Sequence, residues 1–242
     1  MVSLLLLVLV LPAAGESPAN RPVQSAADPV GVPAAAETLQ PNPAWRPLGR
    51  SLWFDPKRKE LVIAARVVLR EGPLEHLVCL KGTKEHEAIL ATHALPREIH
   101  AGLLLTGAEP GHPVRFLPKF EPPAGTRIAI ELHWKADGET QSIDARRWVR
   151  DEKTKKPLAE EWVFAGSELF NDPVTKQVVY AADEGDLITV ANFGSAILDL
   201  PLASSASDAE RIFGADPTQV PPLGTEVFLF LRPHVGQRDK KP

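Results

Sequence analysis

Two segments of the chain place apolar side chains at every second position, and this pattern constrains the fold more than any other feature. One segment carries Ile128, Ile130, Leu132 and Trp134, and the other carries Val227, Leu229 and Leu231. A period of two puts one face of a β-strand in a core and the other in water. The 24 prolines among 242 residues also disfavour long helices. The sequence therefore predicts a chain built mainly from strands.

Turn sequences predict two hairpins. Asp55-Pro56 separates the apolar residues 52–54 from 61–69, and Asp172-Pro173 precedes residues 177–180. An Asp-Pro pair is a preferred opening of a type I turn. Each predicted hairpin is followed later by a Pro-Pro-x-Gly-Thr sequence that opens one of the alternating strands. Residues 44–150 and 158–235 are then either two diverged copies of one β-rich unit or a chance recurrence of common turns.

Helix is predicted in one stretch of the first half. Residues 83–92 contain good helix formers after a threonine cap. Residues 96–105 begin with proline and place Ile99, Leu103 and Leu104 on one stripe. We therefore predict an α+β fold in which strands dominate, with a two-helix insertion in the first of two possible β-rich units.

The two ends of the chain predict export and a tethered domain. An unbroken apolar run at residues 4–11 precedes Ala13-Ala14-Gly15, so residues 1–15 are interpreted as a signal peptide. The run is too short to span a bilayer. Residues 16–43 are rich in proline and alanine and are interpreted as a disordered tether, residues 44–235 as the folded domain, and residues 236–242 as a basic tail. The predicted location is extracytoplasmic, periplasmic or secreted, with no transmembrane helix in the mature chain.

Composition and missing motifs exclude several classes of function. A formal net charge of −4 and a pI near 6.0 provide no basic surface for nucleic acid. One cysteine excludes an internal disulfide and a four-thiolate cluster. The acidic residues 183–186 lack the spacing of an EF-hand loop and are interpreted as a solvated turn. Ser167 and Ser195 each follow a glycine but lack the G-x-S-x-G motif. The expected partner is an unidentified protein or a small-molecule ligand.

Cys79 ends an apolar stretch, four residues before the threonine that caps the predicted helix. A thiol near a helix N-terminus with Lys81 and Lys84 close by would have a lowered pKa and be reactive or metal-binding. The alternative is a small buried hydrophobic side chain, which is common for a lone cysteine in an apolar strand.

Two histidines and a glutamate share that segment of the chain. His86-Glu87 begins a zincin-like pattern, but Leu90 occupies the position of the second histidine. A solvated first turn of the predicted helix is one interpretation of His86, and a satisfied core histidine is one interpretation of His100. Alternatively, Cys79, His86 and His100 would converge as three ligands of a catalytic zinc ion with an open fourth position. Glu87 would then be the general base.

Several separated motifs, in order, resemble the YdjY-type domain of bacterial secreted proteins. They include Cys-Leu-Lys-Gly-Thr-Lys-Glu-His-Glu at residues 79–87, Ile-His-Ala-Gly-Leu-Leu at 99–104 and Glu-Trp-Val-Phe-Ala-Gly-Ser at 161–167. The resemblance implies that Cys79, His86, Glu87 and His100 belong to the best-defined motif of that family, and it implies no activity. A ferredoxin-like label on some members implies cysteine-held clusters, which one cysteine does not supply.

The sequence thus predicts an exported, non-catalytic binding or envelope-associated module. The alternative is a metal- or thiol-dependent enzyme centred on Cys79, His86, Glu87 and His100, with zinc as the metal.

Overall fold

A computed structural model of the chain describes residues 39–204 and 213–234. The predicted signal peptide at residues 1–15, residues 16–38 of the predicted tether and the predicted basic tail at 236–242 lie outside the described residues.

The structure is 43% strand and 10% helical. The strands are β1 (Arg46–Gly49), β2 (Leu52–Asp55), β3 (Glu60–Val67), β4 (Gly72–Pro73), β5 (His76–Leu80), β6 (Ala88–Thr92), β7 (Pro110–His112), β8 (Ala124–Gly125), β9 (Arg127–Ala136), β10 (Glu139–Asp144), β11 (Val149–Asp151), β12 (Trp162–Phe164), β13 (Leu169–Asn171), β14 (Val178–Tyr180), β15 (Asp186–Thr189), β16 (Leu198–Asp199), β17 (Phe213–Ala215) and β18 (Glu226–Pro233). The helices are α1 (Pro96–Leu105) and the 3₁₀ turns η1 (Ala145–Trp148) and η2 (Ala181–Glu184).

Eight of these strands close into a barrel. The order is β3, β18, β9, β12, β16, β15, β5 and β6, and β6 pairs back with β3. Two neighbouring pairs, β5–β6 and β15–β16, are parallel, and the other six pairs are antiparallel. Closure pairs the edges of a sheet with each other, and it encloses one continuous apolar core.

The prediction of an α+β fold with a two-helix insertion is wrong. Residues 83–92 do not form a helix, because residues 88–92 are β6, a barrel strand buried along its whole length between β5 and β3. The segment contains good helix formers, but burial between two neighbouring strands outweighs a helix preference of a few tenths of a kcal/mol per residue. One α-helix, α1, is present in the part of the chain that the structure describes.

Both predicted hairpins are confirmed. β2 pairs with β3 across residues 55–60, and β13 pairs with β14. In each turn an aspartate Oδ1 accepts two backbone N–H groups, from Lys57 and Arg58 or from Val174 and Thr175. The same turn occurs a third time, at residues 151–155, where the aspartate accepts the N–H groups two and three positions ahead. This turn type therefore recurs without the rest of a repeated unit, and the two-copy hypothesis stays a prediction.

The predicted helix over residues 96–105 is confirmed with the same bounds, and the two alternating segments are β9 and β18. β9 and β18 lie next to each other in the barrel. Among the described residues, no helix has the length and apolar character needed to cross a bilayer.

Candidate metal centre

The polar groups of interest lie where β5 and β6 begin. These strands are parallel and adjacent, so their amino-terminal ends lie side by side at one end of the barrel. Glu75 directly precedes β5, and Glu87 directly precedes β6. The carbonyl oxygen of Glu87 accepts the backbone N–H groups of both Glu75 and His76, each at 3.1 Å. These two hydrogen bonds hold the three residues together.

The side chains of these residues converge as well. One ligand atom from each of Glu75, His76 and Glu87 lies within 4.8 Å of the other two. Within residues 39–204 and 213–234, no other three His, Cys, Asp or Glu side chains come this close. His76 is fully buried, Glu75 is 7% exposed, and the Glu87 side chain is 13% exposed. The group, called the ligand trio below, is therefore reached from solvent at Glu87.

The ring of His76 is fixed from one side. Its Nε2 lies 2.8 Å from Oδ1 of Asp186, and the ring stacks on Phe193 with centroids 5.4 Å apart and planes 16° apart. Because an ionised carboxylate only accepts, Nε2 carries the proton and donates it to Asp186. Nδ1, the other ring nitrogen, is buried and has no hydrogen-bond partner within residues 39–204 and 213–234. The histidine thus presents an unused lone pair in a buried position.

Asp186 is held by two further groups. The Nζ of Lys84 lies 2.7 Å from Oδ1, and the hydroxyl of Ser195 donates to Oδ2. Burial raises the pKa of this carboxyl, but the hydrogen bonds from His76, Lys84 and Ser195 outweigh burial and hold it well below its usual range. The prediction of a solvated turn at residues 183–186 is therefore wrong for Asp186, which is 1% exposed.

The order of these side chains argues against nucleophilic catalysis by Ser195. In a Ser-His-Asp triad the imidazole lies between the hydroxyl and the carboxylate, and it takes the proton of the serine. Here the carboxylate of Asp186 lies between Ser195 and His76. The hydroxyl and the imidazole both donate to it, so neither activates the other. The arrangement orients His76.

A buried network positions the segment that covers the ring. Oδ1 of Asp199 accepts from the side chains of Thr189 and Asn192, and Oδ2 accepts weakly from the backbone N–H of Phe193 at 3.4 Å. Complete burial raises the pKa of Asp199 to about 7, against the lowering effect of these hydrogen bonds. The network fixes Phe193 over His76.

A glycine allows the turn that carries Lys84 to lie close to the start of β15. Gly185, directly before Asp186, has φ of +115°, and a Cβ there would lie 2.4 Å from Oγ1 of Thr83. Both the backbone conformation and the contact exclude a larger residue. Gly185 therefore lets the turn that carries Lys84 lie against the start of β15.

Cys79 and His86 lie in different surroundings. Cys79 is fully buried in β5, and burial raises the pKa of its thiol to about 11, opposite to the lowered value that a reactive thiol requires. His86 lies in the exposed turn before β6, with a side chain that is 76% exposed and Nε2 3.6 Å from the carboxylate of Glu87.

His100 lies on α1 in other surroundings. Its Nδ1 is 2.8 Å from the Tyr180 hydroxyl, and its ring meets Phe164 edge to face at 4.9 Å. Burial lowers the pKa of His100, against a backbone hydrogen bond to Gly166 that raises it. Of the four residues singled out from the sequence, the ligand trio contains Glu87 alone. The zinc site of Cys79, His86 and His100 stays a prediction, and zinc analysis of C79S and H100A tests it.

Sequence reasoning missed Glu75, His76 and Asp186. A signal was present: Glu75-His76 and His86-Glu87 each directly precede a short apolar run. Two such runs, if both are parallel neighbouring strands, bring the acidic and imidazole groups to one edge. The signal was lost because the second run was interpreted as a helix.

Comparison with known proteins identifies a domain and no activity. A family model described as the YdjY domain matches residues 52–232, which is more than half of the chain. No curated protein and no solved structure gives a significant match.

Proposed function

We propose that this chain, which belongs to the YdjY domain family, is a binding module for a divalent transition-metal ion, with Glu75, His76 and Glu87 as the protein ligands. The observation that supports the proposal most strongly is Nδ1 of His76, a buried nitrogen with no hydrogen-bond partner among the described residues, on a ring that has two carboxyl groups close to it. A buried polar atom normally has a hydrogen-bond partner or a ligand. A bound metal ion would be such a partner, and contacts between protein atoms do not show it.

The surroundings of His76 support the same assignment. Histidines that bind metals usually donate their second ring N–H to a carboxylate, which fixes the tautomer and the ring orientation. Asp186 accepts that proton from Nε2, and Lys84 and Ser195 hold Asp186 in turn. The imidazole is therefore oriented before an ion arrives, and an oriented ligand loses less entropy on binding.

The closeness of the two carboxyl groups also favours a divalent cation. One oxygen of Glu75 and one of Glu87 lie within 4.8 Å of each other and of a ring nitrogen of His76. Glu87 also lies 3.6 Å from Nε2 of His86. Carboxylates held this close repel each other, and a divalent cation between them removes the repulsion.

The donor set selects the kind of metal. One imidazole nitrogen and two carboxylates match the ligands that proteins offer to Zn²⁺, and three protein ligands leave a position open for water. Mg²⁺ and Ca²⁺ prefer ligand sets made of oxygen alone. We therefore expect binding of Zn²⁺ in preference to Mg²⁺.

The proposal is tested by titrating Zn²⁺ and, separately, Mg²⁺ into the purified protein in a calorimeter. We expect one Zn²⁺ per chain, and at least tenfold weaker binding in E87Q. E85Q is the matched control, because Glu85 lies two residues away, pairs with Lys81 and is not in the ligand trio. Equal affinity of E87Q and E85Q for Zn²⁺ would contradict the proposal.

Nitrogen NMR identifies the ligand atom and separates the two zinc hypotheses. In protein labelled at histidine, Zn²⁺ should shift the Nδ1 resonance of His76 and leave the resonances of His100 unchanged. Loss of zinc in C79S and H100A, with His76 unaffected, would instead support the site predicted from the sequence.

We further propose that the domain acts outside the cytoplasm. The support is the apolar run at residues 4–11 followed by small residues before Glu16. The N-terminal residue of protein recovered from a bacterial host tests this, with Glu16 expected. Recovery of chains that begin at Met1 in the cytoplasmic fraction would contradict it.

A further inference from the structure

A cavity of about 460 Å³ opens where β2 and β6 meet the same edge of β3. β18 pairs along one edge of β3; on the other edge, β2 pairs with residues 60–63 and β6 with residues 65–67. Ala64 lies between the two, and its carbonyl accepts the Thr92 hydroxyl at 2.7 Å. The cavity fills the fork between the two strands.

The lining of the cavity combines small apolar residues with cations. Ala64, Ala65 and Ala91 are among the small apolar residues that line it. The charged lining residues are three cations and one carboxylate: Arg50, Arg66, Lys81 and Glu226. A cavity of this volume is within the range of small-molecule sites.

The cationic lining residues differ in whether they already have a hydrogen-bond or ion-pair partner. Arg66 donates to the carbonyl of Gly224 and lies 3.8 Å from Glu226, and Lys81 lies 2.7 Å from Glu85. Arg50 lines the same cavity, and it forms no hydrogen bond or ion pair with any residue in the described ranges. Its guanidinium is therefore available to a ligand.

We propose that this cavity binds a small organic anion, whose carboxylate or phosphate group is contacted by Arg50 and Arg66. A guanidinium offers a planar fork of donors that matches both kinds of group in a bidentate manner. The small apolar lining residues accommodate the carbon skeleton, and His93, which also lines the cavity, supplies a further donor. This inference is independent of the metal site, because it uses the opposite end of β6.

The test titrates citrate and inorganic pyrophosphate, separately, into the full chain at constant ionic strength. We expect at least one probe to bind at millimolar concentration or below, and at least tenfold weaker binding in R50Q. The matched control is R115Q, since Arg115 is also exposed and pairs with Glu121 outside the cavity. Its affinity should equal that of the wild type.

The two probes distinguish the kinds of ligand that the cavity would bind. Binding of citrate alone assigns a carboxylate ligand, and binding of pyrophosphate alone assigns a phosphorylated ligand. If neither probe binds, or if R50Q and R115Q weaken binding equally, the proposal is overturned. Because both arginines are exposed, neither variant is expected to unfold the protein, and a thermal melt of each confirms this.

Discussion

The two ends of β6 present polar groups to potential ligands under opposite conditions. Before the strand, His76 and Asp186 are buried, and each has a fixed orientation set by neighbouring side chains. After the strand, the cations around the cavity are exposed, and Arg50 has no partner among the described residues. A buried polar group affects stability and binding together, whereas an exposed one affects binding alone. Substitutions at the two ends should therefore have different consequences for folding.

The largest effect is expected for H76A. It removes a fully buried ring that stacks on Phe193 and leaves Asp186 without one of its donors. We expect a loss of about 4 kcal/mol in the free energy of unfolding, measured by urea denaturation. Added Zn²⁺ should raise the melting temperature of the wild type and not that of H76A. H86A is the control, since its side chain is 76% exposed. If added Zn²⁺ raised the melting temperature of H76A as well, His76 would not be a zinc ligand, and the proposed difference between the two ends of β6 would be contradicted.

A somewhat smaller effect is expected for D186N, which leaves the ammonium of Lys84 without its carboxylate. The expected loss is about 3 kcal/mol at neutral pH. The pKa of Asp186 is lowered in the folded state, so its contribution is complete above about pH 4 and is lost as the pH falls below that. The difference in unfolding free energy between wild type and D186N should therefore narrow at acid pH. A constant difference from pH 2 to 7 would show that Asp186 is not paired as described.

The carboxyl of Asp199 should make the wild type less stable as the pH rises. Its pKa of about 7 in the folded state exceeds the ordinary value of 3.8, so between these values the folded chain holds a proton that the unfolded chain has lost. The free energy of unfolding then falls as the pH rises through this range. Between pH 5 and 8 we expect the wild type to lose roughly 2 kcal/mol more than D199N. If the free energies of unfolding of the two proteins changed in parallel with pH, a raised pKa of Asp199 in the folded state would be excluded.

The smallest effect on folding is expected at the other end of β6. The free energy of unfolding of R50Q should lie within about 0.5 kcal/mol of the wild-type value, because an exposed side chain without partners contributes little to stability. Thermal melts without ligand measure this. A loss above 1 kcal/mol in R50Q would mean that Arg50 has a structural role, and the contrast between the two ends would then fail.

The sequence predicted local structure well wherever one residue type determines the geometry. Asp55 and Asp172 open hairpin turns because a short carboxylate accepts nearby backbone N–H groups, and that interaction needs no distant partner. The helix at residues 96–105 begins at a proline, which suits a first helical turn. These features depend on residues close in sequence.

The barrel and the candidate site depend on distant residues, so they were harder to predict. Residues 88–92 form a strand because β5 and β3 flank them, and β3 lies more than 20 residues earlier. Asp186 and His76 are 110 positions apart, and neither belongs to a spacing motif that would connect them. An acidic side chain near a glycine turn resembles a solvated loop until its partners are known.

The two hydrogen bonds from Glu75 and His76 to the carbonyl of Glu87 connect three proposed ligands that all come from residues 75–87. The carboxylate that orients the imidazole lies 110 residues later in the sequence, in β15. The oriented set of proposed ligands is therefore complete only when β15 has joined the barrel, and a chain that ends before residue 186 would lack the group that fixes the His76 ring.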